Sequence, residues 1–325
     1  MKLFRRPRRL RELSIAKSMV TEYSLQKQDF ILPIFVSDHC ESKEPVESMP
    51  EVYRWSIDAV VEKVSHWKEI GLYAFALFPC VMSEKKCPSG KEALNPDSIS
   101  FRAAKKIKEL HEDTLLIADL ALDPFTDHGH DGILDSSGRV DNDLTVEMLC
   151  KSAILAAQAG FDVVAPSDMM DGRIGEIRSA LDNAGFEQVA ILAYSAKFCS
   201  AYYGPFRDAI SSTQKEPIDK SGYQLNPANS REALLELKLD EQEGADLLMI
   251  KPAEPYLDII KSAKENFSLP IAAYQVSGEY SRIWAASKLG WLDLDRCAEE
   301  SLLSIKRAGA DVILTYFAER IAAKL

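Results

Sequence analysis

The sequence lacks the usual marks of a disulfide scaffold, a zinc ribbon or a secreted precursor. Its six cysteines (Cys40, Cys80, Cys87, Cys150, Cys199 and Cys297) form no CxxC pair and are widely spaced, so neither a disulfide framework nor a cysteine metal cluster is expected. No N-terminal apolar run resembles a signal peptide, and no stretch approaches the ~20 continuous apolar residues of a membrane helix. The expectation is a soluble, cytoplasmic protein. Positive charge is scarce as well: the net charge is −11. Nucleic acid and anionic membranes both need a cationic face, so neither is an expected partner. No glycine-rich phosphate loop follows the first apolar run, which ends at Val36, and this disfavours a dinucleotide-binding, doubly wound sheet.

What is present is a large apolar content, 46% of 325 residues, enough for one big α/β core. Eight short, nearly continuous apolar runs recur at 31–36, 72–78, 114–120, 162–166, 188–195, 246–251, 271–277 and 311–317. Each is too short for a helix and reads as a strand covered on both faces. Helical periodicity lies between them, at 55–70, 145–158, 229–243 and 293–308, with Ser56, Thr145 and Asn229 or Ser230 as expected N-caps. Gly160-Phe161-Asp162, Gly244-Ala245-Asp246 and Gly309-Ala310-Asp311 each close a helix and open a strand. The repeated unit predicts a (β/α)₈ TIM barrel over 31–325, preceded by an N-terminal arm at 1–30. The arm carries Arg5, Arg6, Arg8, Arg9 and Arg11, suited to an acidic surface of a neighbouring subunit or to solvent. The long segment 198–228 reads as an active-site lid.

Barrel enzymes work at the C-terminal ends of their strands. Here those ends carry Asp119, Asp123, Asp127, His128, His130 and Asp131 after the third strand, Asp168, Asp171 and Arg173 after the fourth, then Lys197, Lys251, Ser277 and Tyr316. A lysine at the end of an apolar strand loses solvation, and a second lysine on the adjacent strand repels it; both effects favour the neutral amine that attacks carbonyls. The expected chemistry is therefore a Schiff base with a keto substrate at one or both of Lys197 and Lys251. The alternative is that either lysine is structural and pairs with a carboxylate such as Asp246 or Glu254. The loop 119–132 suits a hard cation or acid–base work, and without cysteine it does not suit tight zinc. Arg207 and Lys220, on the lid, are placed to clamp a substrate carboxylate.

Several segments together resemble the porphobilinogen synthase (δ-aminolevulinic acid dehydratase) family. They are MPEVYRWS at 49–56, DPFTDHGHDG at 123–132, APSDMMDGRI at 165–174, YSAKFCSAYYGPFRDA at 194–209, YQLNPANSREAL at 223–234, MIKPAEPYLDI at 249–259, YQVSGEY at 274–280 and ILTYFAER at 313–320. The resemblance implies condensation of two 5-aminolevulinate molecules to porphobilinogen with loss of two waters, early in tetrapyrrole (heme and chlorophyll) synthesis. It implies Lys251 as the principal Schiff-base lysine and Lys197 as its partner. Ser277 and Tyr316 would hold one substrate carboxylate, and Arg207 and Lys220 the other. Zinc-dependent members carry three cysteines where this chain has Ala121, Asp123 and Asp131, so no catalytic zinc is expected. Asp119, Asp123 and Asp131 become candidates for proton handling or for a monovalent cation. The zinc-free members imply an allosteric Mg²⁺ on Glu236, with Asp168 and Arg173 reaching its waters, and a homo-octamer. A class I aldolase-like lyase, with one nucleophilic lysine, is the competing enzyme reading, and a catalytically dead metabolite-binding barrel is the non-enzymatic one.

Overall fold

The computed structural model describes residues 3–210 and 218–325. Two short helices, α1 (Arg8–Glu12) and α2 (Ser14–Met19), open the chain and bury none of their side chains. Leu13, Ile15 and Met19 are all exposed there, as is Phe4. Burial begins only at Asp29 and Phe30.

The eight expected strands all form. They are β1 (Phe30–Ser37), then, after a small hairpin of β2 (Lys43–Pro45) and β3 (Tyr53–Trp55), β4 (Ala74–Cys80), β5 (Leu115–Leu120), β6 (Val163–Pro166), β7 (Ala190–Lys197), β8 (Leu247–Lys251), β9 (Ile271–Gln275) and β10 (Val312–Thr315). Apart from the hairpin they pair in sequence order and in parallel, and β10 closes back on β1 with Phe30 opposite Ile313. Most of their side chains are buried because the barrel interior takes one face and a ring of helices takes the other. That ring comprises α3 (Ile57–Glu69), α4 (Ile99–Leu110), α5 (Asn142–Gln158), α6 (Arg173–Asn183), α7 (Gly204–Ala209), α8 (Ser230–Glu243), α9 (Leu257–Asn266), α10 (Ser277–Lys288), α11 (Leu294–Ala308) and α12 (Ala318–Ala322).

Local chemistry explains the boundaries. Ser56 accepts the Ala59 N–H and caps α3 as expected. The cap of α5 differs from expectation: Asp141 accepts the Leu144 N–H, while Thr145 lies inside the first turn and donates to the Asp141 carbonyl over 2.5 Å. Gly160, Gly244 and Gly309 all have positive φ, at 94°, 102° and 131°. They make the helix-to-strand turn that the sequence repeat marks.

One irregularity positions the chemistry. Between Ala193 and Ala196 the β7–β8 register shifts, and Lys197 comes directly opposite Lys251. Three positions separate Tyr194 from Lys197, so a regular strand would turn them to opposite faces. The bulge lets both face the barrel interior.

Candidate active site

A narrow cavity opens at the C-terminal ends of the strands. Lys197, Lys251, Asp123, Arg207, Lys220, Gln224, Ser277 and Tyr316 line it, with Tyr203, Phe206, Tyr274 and Val276 as its apolar wall. All six residues expected to bind or attack substrate therefore meet in one place. Part of the expected lid, 211–217, lies outside the described residues; the flanking parts supply Arg207 and Lys220.

The two lysines differ in their surroundings. Lys251 is buried, with the rings of Tyr274, Tyr194, Tyr203 and Phe206 at 4.7–5.3 Å from its Nζ. Burial, and then repulsion from Lys197, pull its pKa down to about 7. At neutral pH roughly half of such amines are unprotonated, against on the order of one in a few thousand for an ordinary lysine. Lys197 instead donates to Asp131 Oδ2 at 3.0 Å and to the Ser167 carbonyl. The sequence leads one to expect that both lysines lose solvation and repel each other, with pairing to a carboxylate as the alternative; Lys197 has a buried carboxylate partner. That partner is neither Asp246, which accepts the Ile191 N–H, nor Glu254, which pairs with Arg282.

Asp131 is fully buried and also takes Lys220 at 2.5 Å. Burial alone would raise its pKa, but Lys197 and Lys220 override that and hold its carboxyl well below the usual range. Lys220 lies 3.6 Å from Asp123 as well, so this lid lysine bridges two of the three candidate carboxyls. The third, Asp119, stands at the end of β5. Burial pushes its carboxyl up to about 6, opposed chiefly by the Lys251 charge. An acid near 6 beside an amine near 7 can exchange protons at neutral pH with little penalty in either direction.

Ser277 and Tyr316 stand across the cavity. The Ser277 hydroxyl accepts the Phe206 N–H at 3.0 Å and donates to the Tyr202 carbonyl at 3.4 Å. The Tyr316 hydroxyl meets that of Tyr274 at 2.8 Å. Sequence reasoning missed the aromatic wall, and also Tyr223, whose hydroxyl accepts the Asp131 N–H at 3.3 Å and contacts His130 Nδ1 at 3.1 Å. The tyrosines were visible in the motifs at 194–209 and 223–234, but nothing in strand periodicity marks which of them face inward.

Glu236, Asp168 and Arg173 fall outside this cavity. Glu236 lines a wider, more open cleft together with Glu232, Asp171 and Asp219. Arg173 is buried between Asp168, at 3.6 Å, and Asp240, at 3.5 Å, and donates to the Tyr194 carbonyl at 3.1 Å. Asp168 Oδ2, Arg173 Nε and Asp240 Oδ2 are buried without a hydrogen-bond partner. Glu236 and Glu243 also bear electrostatically on Arg173, so several carboxyls surround one guanidinium. Among the described residues no three His, Cys, Asp or Glu side chains cluster closely enough to hold an ion directly, so these residues fit only a cation bound chiefly through its waters, as Mg²⁺ commonly is.

A sequence model described as delta-aminolevulinic acid dehydratase matches residues 4–324. The chain is 50% identical to the chloroplastic delta-aminolevulinic acid dehydratase of Physcomitrium patens, over 98% of this chain and 73% of that protein. It is 47% identical to the enzyme of Bradyrhizobium diazoefficiens, over 98% and 90%. The crystal structure of delta-aminolevulinic acid dehydratase (porphobilinogen synthase) from Toxoplasma gondii, in complex with the product porphobilinogen, superposes with a TM-score of 0.97 at 45% identity. It covers 99% of this chain and 92% of that one.

Proposed function

The chain belongs to the delta-aminolevulinic acid dehydratase family, and from that premise we propose that Lys251, assisted by Lys197, is the amine through which it acts. The reaction is condensation of two 5-aminolevulinate molecules to porphobilinogen with release of two waters, a lyase step of tetrapyrrole biosynthesis. The observation that carries the assignment is the contrast between the lysines: Lys251 sits in an aromatic box with a pKa near 7, while Lys197 is held by Asp131.

The neutral Lys251 amine attacks the ketone of one 5-aminolevulinate. The resulting carbinolamine loses water to an iminium, which acidifies the neighbouring carbon. Asp119, at about 6, takes and returns the protons these steps require. Lys197 binds the second substrate's ketone, and Asp131, which two ammonium groups keep strongly acidic, holds it in place without taking its proton. Ser277 and Tyr316 receive one substrate carboxylate; Arg207 and Lys220 receive the other. Ala121, Asp123 and Asp131 offer no thiolate, and Asp131 is already neutralised by two ammonium groups, so zinc is poorly suited to this loop. A monovalent cation at Asp131 would compete with the same two ammoniums.

The reading includes a magnesium site at Glu236, with Asp168 and Arg173 holding the ion's waters; the bound ion would supply charge that locks α6 and α8 together. It also includes a homo-octamer in which the exposed apolar and basic arm covers a second copy, and deletion of residues 1–20 should give smaller, less active particles. Among the described residues no helix is long and apolar enough to cross a membrane; a cytoplasmic location is our reading, supported by cysteines that form no disulfide among the described residues. Borohydride reduction in the presence of 5-aminolevulinate tests the central claim. Mass should appear on Lys251, and Lys251→Met should abolish turnover; an active, unlabelled enzyme after reduction would exclude the mechanism.

A further inference from the structure

Glu279 is fully buried on the first turn of α10, and the cavity does not contain it. Its carboxylate accepts three backbone N–H groups. Oε2 takes Val276 at 2.6 Å and Ala253 at 3.3 Å, and Oε1 takes Glu254 at 2.5 Å. The bond to Val276 is half of an ordinary capping box. The other two reach about 25 residues back in sequence, to the turn that leaves β8 immediately after Lys251. Burial pushes the Glu279 carboxyl up to about 8, against the pull of the Val276 and Ala253 N–H groups; a helix cap needs only the first bond, so this burial is a cost that capping does not require. The side chain therefore does more than start a helix.

The three donors belong to the two turns that carry the chemistry. Ala253 follows Lys251 by two residues, and Val276 precedes Ser277. Ser277 in turn accepts the Phe206 N–H and donates to the Tyr202 carbonyl, which tie it to the base of the lid. One carboxylate thus joins the Lys251 turn to the start of the Ser277 helix, and Ser277 joins that start to the lid.

We infer that Glu279 is a positioning residue for this reaction: it sets the spacing between the Lys251 amine and the Ser277 carboxylate site through the backbone of two βα turns. The inference rests on reading Lys251 as the reacting amine. A substrate bound by its carboxylate at Ser277 presents its ketone to Lys251 only if that spacing is kept.

The test compares Glu279→Gln and Glu279→Asp with the unaltered enzyme. The glutamine amide turns an N–H donor toward backbone donors, whereas aspartate keeps the charge one methylene short. Glu279→Gln should elute as the native particle and yet lose about 10- to 100-fold in kcat, as expected for misplacement of about 1 Å, with KM for 5-aminolevulinate raised. Glu279→Asp should fall between, and borohydride trapping at Lys251 should slow in proportion. A folded Glu279→Gln enzyme with native kcat and KM would overturn the inference. Should that variant not fold, amide exchange in the unaltered enzyme decides: the N–H groups of 253, 254 and 276 should be protected and slow further with 5-aminolevulinate. Rapid exchange, or no response to substrate, would overturn the inference as well. Absence of label on Lys251 of the unaltered enzyme would sink the Schiff-base reading and with it the premise of this inference, whereas native kcat and KM in Glu279→Gln with Lys251 still labelled would sink the inference alone.

Discussion

Lys197 donates to the buried Oδ2 of Asp131 across 3.0 Å. The other oxygen of the same carboxylate takes Lys220, so one anion holds together a lysine at the end of β7 and one from the segment that follows it. Lys251, directly opposite Lys197 in the strand register, forms no ion pair among the described residues and is the amine whose charge burial disfavours. Two lysines that look equivalent in the sequence thereby stand in different surroundings, which is what the proposed division into nucleophile and partner rests on.

Replacing Asp131 with asparagine should leave Lys197 buried without its counter-ion and Lys220 with Asp123 alone, at 3.6 Å. Breaking a buried pair from one side costs about 3–5 kcal/mol, and thermal unfolding should register a loss of that order. Turnover should fall at least 100-fold, because the lid loses its closest anchor in the barrel. The sign of the pH effect follows from the depressed carboxyl. Its stabilisation is fully present above the ordinary aspartate range near pH ~4 and is lost only as pH falls further through the depressed value. Acid unfolding of Asp131→Asn should be correspondingly shallower.

The pH dependence of Lys251 is also signed. Only the neutral amine attacks, so the rate of borohydride trapping with 5-aminolevulinate should rise with pH and level off above about 7. Asp119 raises the Lys251 pKa, opposing burial and Lys197. Asp119→Asn should therefore move the inflection to lower pH while slowing the later proton transfers. A trapping profile of that variant that moves to higher pH, or does not move, would contradict the assigned pairing.

Much of this was legible in the sequence, and the reasons are physical. Continuous apolar runs between amphipathic helices mark strands covered on both faces, and all eight strands follow from that pattern. The hairpin of β2 and β3 escaped because Lys43–Pro45 is wholly exposed and each strand has only three residues. The site residues were recognisable as polar groups at strand ends, but their pairing was not. Nothing in the order of residues places Asp131 against Lys197, because the contact depends on a loop after β5 folding over to a strand end 66 positions later. The β7 bulge is equally silent: regular alternation would have sent Lys197 and Tyr194 to opposite faces. Glu279 passed as a helix-start glutamate, since two of its three bonds are long-range.

Magnesium should act through Glu236 without entering the lysine cavity, from which it is separate. Arg173 connects the two regions, because it bonds the Tyr194 carbonyl of β7 while facing Asp168 and Asp240. Glu236→Ala should run at the rate of the metal-free native enzyme whatever magnesium is added. Titration of initial rate against magnesium checks this, and a stimulated Glu236→Ala enzyme would move the ion elsewhere.

The backbones of Gly278 and Tyr202 approach closely beside the site. A Cβ on Gly278 would lie 2.5 Å from the Tyr202 carbonyl oxygen and 2.8 Å from its Cα. Those are main-chain atoms, so the contact cannot be relieved by a side chain turning away. Gly278→Ala should force α10 and the base of the lid apart, at a cost of about 1–3 kcal/mol. The displaced carbonyl is the one that accepts from Ser277, so the carboxylate site moves with it. KM for 5-aminolevulinate should rise more than the melting temperature falls would suggest, while trapping at Lys251 at saturating substrate stays near native. If KM is unchanged in a destabilised Gly278→Ala enzyme, Ser277 does not hold the substrate carboxylate.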